Sequence, residues 1–188
     1  MSLLYTLLAA LLATGFMSPC FAGGISINLV QKGCKQMDSG NYADAVSTLV
    51  VAVRQNPSDL ETRRKLCTAL VGAGRATDAL RELQVITRFA PGDARDSQLM
   101  AEAYYLCGDA ISAITKYREA LALNPDAAEA KLGLIRSLIS TGNPTEAKGI
   151  CQQTLRSSRD AVLRKQVAEI LQGIRFRSSF ASIEELKG

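Results

Sequence analysis

Residues 94–127, ARDSQLMAEAYYLCGDAISAITKYREALALNPDA, contain one complete structural sentence. Apolar residues Leu99, Ala103 and Leu106 recur at helical spacing, Gly108 interrupts, Ile111, Ile114 and Leu121 resume the period, and Pro125 ends it. Glycine ends a helix because it takes the left-handed conformation without a Cβ penalty. Proline stops one because it lacks the N–H and restricts the residue before it. The stretch therefore predicts two amphipathic helices joined by a tight turn.

The same punctuation repeats along the chain. Gly40, Gly74, Gly108 and Gly142 are each 34 residues apart, as are Ala45, Ala79, Ala113 and Ala147, and as are Pro57, Pro91 and Pro125. Three residue types in one register define a repeat. The units are 26–59, 60–93, 94–127 and 128–161. The alanine lies early in the second helix, where a small side chain lets helix axes approach to about 8–10 Å. Asp59, Asp93 and Asp126 stand ahead of first helices as N-cap candidates, and Asn143, Pro144 and Glu146 have the pattern of a helix start. Residues 160–175 read as a capping helix with Val162, Leu163, Val167, Ile170, Leu171 and Ile174 on its apolar face, and 176–188 as a loose tail.

This pattern closely resembles the tetratricopeptide repeat (TPR) family, and the resemblance covers 136 of the 166 residues after Ala22. Gly33 and Ala101 fall at its small-residue position, and Tyr42, Tyr104 and Tyr117 at aromatic ones. Its tryptophan position holds Leu29, Arg63, Ser97 and Lys131, and Arg159 replaces the last proline. The resemblance implies an all-α, right-handed α-solenoid of four helix-turn-helix repeats plus the C-terminal capping helix. It also implies a concave groove for a peptide or helix of a partner protein.

Inward positions carried over from the family select Arg64, Thr68, Arg95, Gln98, Glu102, Tyr105 and Arg136, with Val30, Cys34 and Met37 making the N-terminal end apolar. The arginines suit a ligand carboxylate. Arg64, Arg95, Glu102 and Arg136 equally read as a solvated face whose charges satisfy one another. The family's clamp for a C-terminal carboxylate needs Lys and Asn where this chain has Val30 and Cys34, which disfavours a cytosolic co-chaperone role.

Residues 1–22 read as a signal peptide: an uncharged apolar run from Ser2 to Met17, then Pro19 and a cleavage pattern ending at Ala22. The run is short for a span of about 20 residues. A basic n-region is missing, so a retained membrane anchor stays open. Export implies a periplasmic or secreted location. Four cysteines then remain, of which Cys34 and Cys67, on adjacent first helices, are the pair that a disulfide could join; buried inert thiols are the other reading.

Charge is balanced from Gly23 to Ala147, with 14 basic and 14 acidic residues, and excess from Lys148 onward, with 8 basic and 4 acidic. The basic C-terminal helix is a candidate peripheral contact for an anionic membrane, or simply a solvated outer face. Nucleic acid is not expected, since no recognition motif accompanies the charge. With no histidine in the chain, no Cys-x-x-Cys and no phosphate-loop lysine, neither catalysis, a metal nor a cofactor is expected. The functional expectation is a scaffold or adaptor of the cell envelope or secreted space. The alternative is a structural subunit that self-associates.

Overall fold

The computed structural model of the protein describes the backbone of residues 19–185 and the side chains of residues 28–175. The described residues form nine helices and no strand. They are α1 (Pro19–Asp38), α2 (Tyr42–Gln55), α3 (Leu60–Gly72), α4 (Ala76–Phe89), α5 (Ala94–Leu106), α6 (Ala110–Leu123), α7 (Ala128–Ser140), α8 (Pro144–Ser157) and α9 (Ala161–Glu185). The all-α repeat architecture is thus present, with α2, α4, α6 and α8 each 14 residues long and α3, α5 and α7 each 13.

The glycine ladder sets the turns. Gly40, Gly74, Gly108 and Gly142 have φ of 75°, 72°, 83° and 76°, a region that costs residues with a Cβ. At three of them the residue after the glycine donates its N–H back into the ending helix: Asn41 to Gln36, Asp109 to Tyr104 and Asn143 to Leu138. At these three turns, after Gly40, Gly108 and Gly142, the chain reverses and the next helix packs against the last.

What each repeat buries is equally regular. Ala45, Leu49 and Ala52 of α2 are fully buried, and so are their counterparts Ala79, Leu83 and Ile86 of α4. In α6 the same places hold Ala113, Tyr117 and Ala120, and in α8 Ala147, Cys151 and Thr154. These positions are separated by four and three residues, so they form one stripe on each second helix. Each buried Leu, Ile or Tyr on that stripe contributes on the order of 1.5–3 kcal/mol of apolar burial.

The helices fall into two compact units, α1–α3 in the first and α4–α9 in the second. In the first, α2 packs on α1 and on α3. Tyr42 of α2 lies across Gly72, where a Cβ would sit 2.5 Å from the ring, and Leu49 lies across Gly33. Gly72 is therefore a helix residue that makes room for Tyr42; only Gly74 of the Gly72-Ala73-Gly74 run takes the turn conformation. In the second unit a continuous core runs from Ala101 to Ile174, and Leu163, Val167, Leu171 and Ile174 of α9 close its end.

Several local expectations change. Asp59 caps α3 through the N–H groups of Glu61 and Thr62, and Asp93 caps α5 through that of Arg95, but Asp126 caps nothing: the N-cap of α7 is Ala127. Asp126 stands one residue ahead of the 34-residue register. Asn143 and Pro144 do begin α8, yet Asn143 makes no side-chain cap bond, and Glu146 reaches Arg118 of α6 at 2.5 Å instead. Leu106 and Ile111 are 53% and 74% exposed, so the inward stripe of the third repeat runs instead through Met100, Ala101 and Ala103, then Ala113, Ile114 and Tyr117. Val162 is likewise exposed.

The capping helix does not stop at 175. It continues to Glu185, taking in most of the stretch read as a loose tail, since no proline or internal glycine interrupts residues 174–185. At the other end α1 begins at Pro19 and runs through the cleavage point after Ala22. The apolar segment read as a signal, residues 1–18, lies outside the described residues. Among those described, no helix is long and apolar enough to cross a membrane.

Candidate functional site

In the first unit Arg64 and Thr68 lie one turn apart on α3. Arg64 is half-buried and pairs with Glu61 at 3.5 Å; the exposed Thr68 hydroxyl donates to the carbonyl of Arg64 at 3.1 Å. Cys34 of α1 is half-buried and Cys67 of α3 is buried, both as thiols.

In the second unit Arg95 turns back on its own cap. Its Nε and Nη2 reach the two carboxylate oxygens of Asp93 at 3.3 and 2.9 Å. The geometry is bidentate, the form in which a guanidinium holds a carboxylate best. Arg95 is thereby drawn toward the start of α5.

The remaining four residues assemble. Gln98, Glu102 and Tyr105 follow one another at spacings of four and three along α5, so they share one face. Gln98 Nε2 donates to Glu102 Oε1 at 3.1 Å. On α7, which packs against α5, Glu129, Gly133 and Arg136 have the same spacing. Burial pushes the Glu102 carboxyl above its ordinary range; the Glu129 carboxylate adds to that and the Arg136 guanidinium opposes it. Glu102, Glu129 and Arg136 are therefore close enough to feel one another. Among the described residues Arg136 forms no ion pair within contact distance.

One residue of the site was not legible as such. Tyr117 rises from α6, the helix between α5 and α7 in sequence, and is only 3% exposed. A Cβ on Gly133 would overlap the tip of the Tyr117 ring and lie 2.5 Å from its hydroxyl oxygen. The absent side chain at 133 is what lets that hydroxyl reach the seam between α5 and α7. Its phenol is held far above the usual range, by burial first and by the Glu102 carboxylate next, with Arg136 opposing and Tyr105 adding a small push. The hydroxyl makes no hydrogen bond to any described residue.

The result is a polar seam: Gln98, Glu102 and Tyr105 on one wall, Glu129 and Arg136 on the other, the Tyr117 hydroxyl at the floor. A separate hollow of ≈ 390 Å³ lies where α8 meets α9, lined by Asp126, Ser157, Ser158, Arg159, Asp160 and Leu163. Two of its polar side chains are occupied locally: Asp160 accepts from the N–H groups of Val162 and Leu163, and Ser158 Oγ from that of Asp160. The seam is the stronger candidate. Among the described residues no group of three or more potential metal ligands gathers.

The tetratricopeptide repeat profile matches residues 36–103 and 107–170. Similar solved structures include a thermophilic TPR protein of Thermus thermophilus, at 20% identity, 79% of this chain, 82% of that one and a TM-score of 0.68. PilF of Pseudomonas aeruginosa is 18% identical over 84% of this chain and 71% of its own, at 0.68. MamA of Desulfovibrio magneticus is 20% identical over 72% and 78%, at 0.66. At these identities the likeness speaks for the fold. No curated protein matches the sequence. With the repeat register, the turn glycines and the profile in agreement over most of its length, the chain belongs to the tetratricopeptide repeat family.

Proposed function

We propose that the protein is an exported scaffold or adaptor that receives a segment of a partner protein along the α5–α7 seam. Repeats of this family generally serve protein–protein interaction, and the chain shares that fold. One observation carries the finer reading: Gln98, Glu102, Tyr105 and Arg136 converge above a buried phenol whose hydroxyl has no hydrogen-bond partner among the described residues. That hydroxyl keeps some contact with solvent, so a ligand group can bond to it without displacing a protein partner. An envelope or secreted location rests on the apolar N-terminal run alone.

Photo-crosslinking tests it. A photoreactive residue at Tyr105, in the full chain expressed in its host, is expected to capture one dominant protein, identified by mass spectrometry. The same residue placed at exposed Thr115 of α6 should not. Equal capture from both positions, or none from Tyr105, sinks the seam as the docking face. Export has its own check: the N-terminus of the purified protein should begin near Gly23.

A second reading has one observation in its favour. On α9 exposed Arg164 and Lys165 follow exposed Val162 within one turn, a basic surface with an apolar member. That surface suits contact with anionic headgroups. Co-sedimentation with phosphatidylglycerol vesicles, lost on changing both basic residues to Gln, would support it; binding equal to that for neutral vesicles would not.

A further inference from the structure

We infer that the α5–α7 seam reads a lysine side chain, the primary ammonium of the partner seating between Glu102 and the Tyr117 hydroxyl. The inference rests on the docking face proposed above and specifies its chemistry. It departs from the carboxylate that the three arginines suggested.

Three charged side chains, Glu102, Glu129 and Arg136, remain at the seam once Arg95 is set aside. Arg95 is held bidentately by Asp93 at the start of α5. Two carboxylates, Glu102 and Glu129, then face one guanidinium, Arg136, so the seam is net negative by one. Among the described residues only one Glu102 oxygen is engaged, the one accepting from Gln98. The other oxygen can accept a further donor, as a carboxylate takes up to about four.

The floor supplies the second acceptor. Tyr117 is fixed by its burial and by the gap at Gly133, so its hydroxyl is presented with little conformational freedom left to lose. A phenol hydroxyl accepts as well as donates. An ammonium brings three donors and no acceptor, which matches a carboxylate oxygen, a phenol oxygen and the outer carboxylate of Glu129. Tyr105, 37% exposed, offers a ring beside the entrance, and cations are drawn to such faces. A carboxylate ligand would find Arg136 but would have to approach two like charges.

Energetics point the same way. Glu102 is penalised by burial in the seam. A cation seated there relieves that penalty; an anion increases it. The lysine stem, four methylenes long, reaches a recessed group that a main-chain amine cannot.

The probes are blocked alanine pentapeptides with lysine, norleucine or glutamate at the centre, titrated into the ¹⁵N-labelled full chain and followed by amide chemical shifts. The lysine peptide is expected to shift Glu102, Tyr105 and Gly133, with an affinity about tenfold or more above the other two, a difference of about 1.4 kcal/mol. Glu102→Gln and Tyr117→Phe should each remove most of that preference while leaving the rest of the spectrum unchanged. Preference for glutamate, or equal binding of norleucine, overturns the lysine assignment. If Tyr105 still crosslinks a partner in that case, the docking face survives without it. No shift with any peptide overturns both the lysine assignment and the seam as a self-sufficient peptide site.

Discussion

Gly133 of α7 is the space that Tyr117 of α6 occupies: a methyl group at 133 would overlap the ring tip of a residue that is 97% buried. Two effects compete on Gly133→Ala. Helix propensity favours alanine by about 1 kcal/mol, while overpacking a fixed aromatic costs about 1–3 kcal/mol. Because the ring is enclosed, the clash should win and the variant unfold at lower denaturant. In a Tyr117→Leu background the same change should become neutral or stabilising. A double-mutant cycle by urea denaturation checks this. Equal effects in both backgrounds would mean that ring and glycine are not coupled.

Glu102 gives the protein an opposite pH signature from its capping carboxylates. Burial raises its pKa above the ordinary 4.5. The folded state therefore holds its proton to higher pH than the unfolded state does. Below 4.5 both states are protonated and nothing is lost; as pH rises through the folded value the penalty grows to its full size. Glu102→Gln keeps an acceptor for Gln98 and removes the charge. Its melting temperature should exceed the parent's at neutral pH, with the gain vanishing toward pH 4. A gain that persists unchanged in acid would place the cause elsewhere.

How far the sequence foretold this molecule depends on which residues one asks about. The turn glycines and the small or apolar stripe obey the repeat, because each unit solves the same packing problem with the same backbone. Gly133 obeys nothing: no other repeat has glycine at its place, and its partner Tyr117 sits 16 residues earlier in the preceding helix. That contact follows from how one ring lies between two helices, which spacing does not encode. Arg95 occupies an inward position of the repeat, yet its guanidinium is held by the N-cap carboxylate of its own helix, Asp93. Leu106 and Ile111 fit an apolar period and still face outward, since they flank the turn, where a helix face ends against nothing. The helix α9 reaches Glu185 because no residue after Arg175 enforces a stop.

The caps separate register from mere proximity. Asp59 accepts from the N–H groups of Glu61 and Thr62 and from the Thr62 hydroxyl, and these bonds hold its carboxyl below the ordinary value, the Thr62 hydroxyl first. Asp59→Ala should cost about 1 kcal/mol at neutral pH, the usual worth of an N-cap. With a lowered folded pKa that contribution is present above the unfolded value of 3.8 and fades as pH falls through the folded one. Asp126→Ala, one residue out of register, should stay within about 0.5 kcal/mol, as exposed positions do. Thermal melts of the two variants at pH 7 and in acid compare them directly. Equal costs at pH 7 would show that position relative to the helix start does not matter.

The cysteines should react in the order of their exposure. Cys107, at the C-cap of α5, is exposed; Cys34 is half-buried; Cys67 and Cys151 are buried. Burial also raises the Cys151 thiol, which lowers its thiolate fraction and its reactivity further. Alkylation of the native chain without reductant should modify Cys107 first and Cys34 more slowly, leaving the two buried thiols until denaturant is added. Intact mass after unfolding should then show all four of these cysteines modified. If Cys34 and Cys67 instead take up label only after reduction, they are bridged, and the two first helices that carry them are covalently tied. That outcome would revise the first unit without touching the seam, since Glu102, Tyr117, Gly133 and Arg136 all lie in the second.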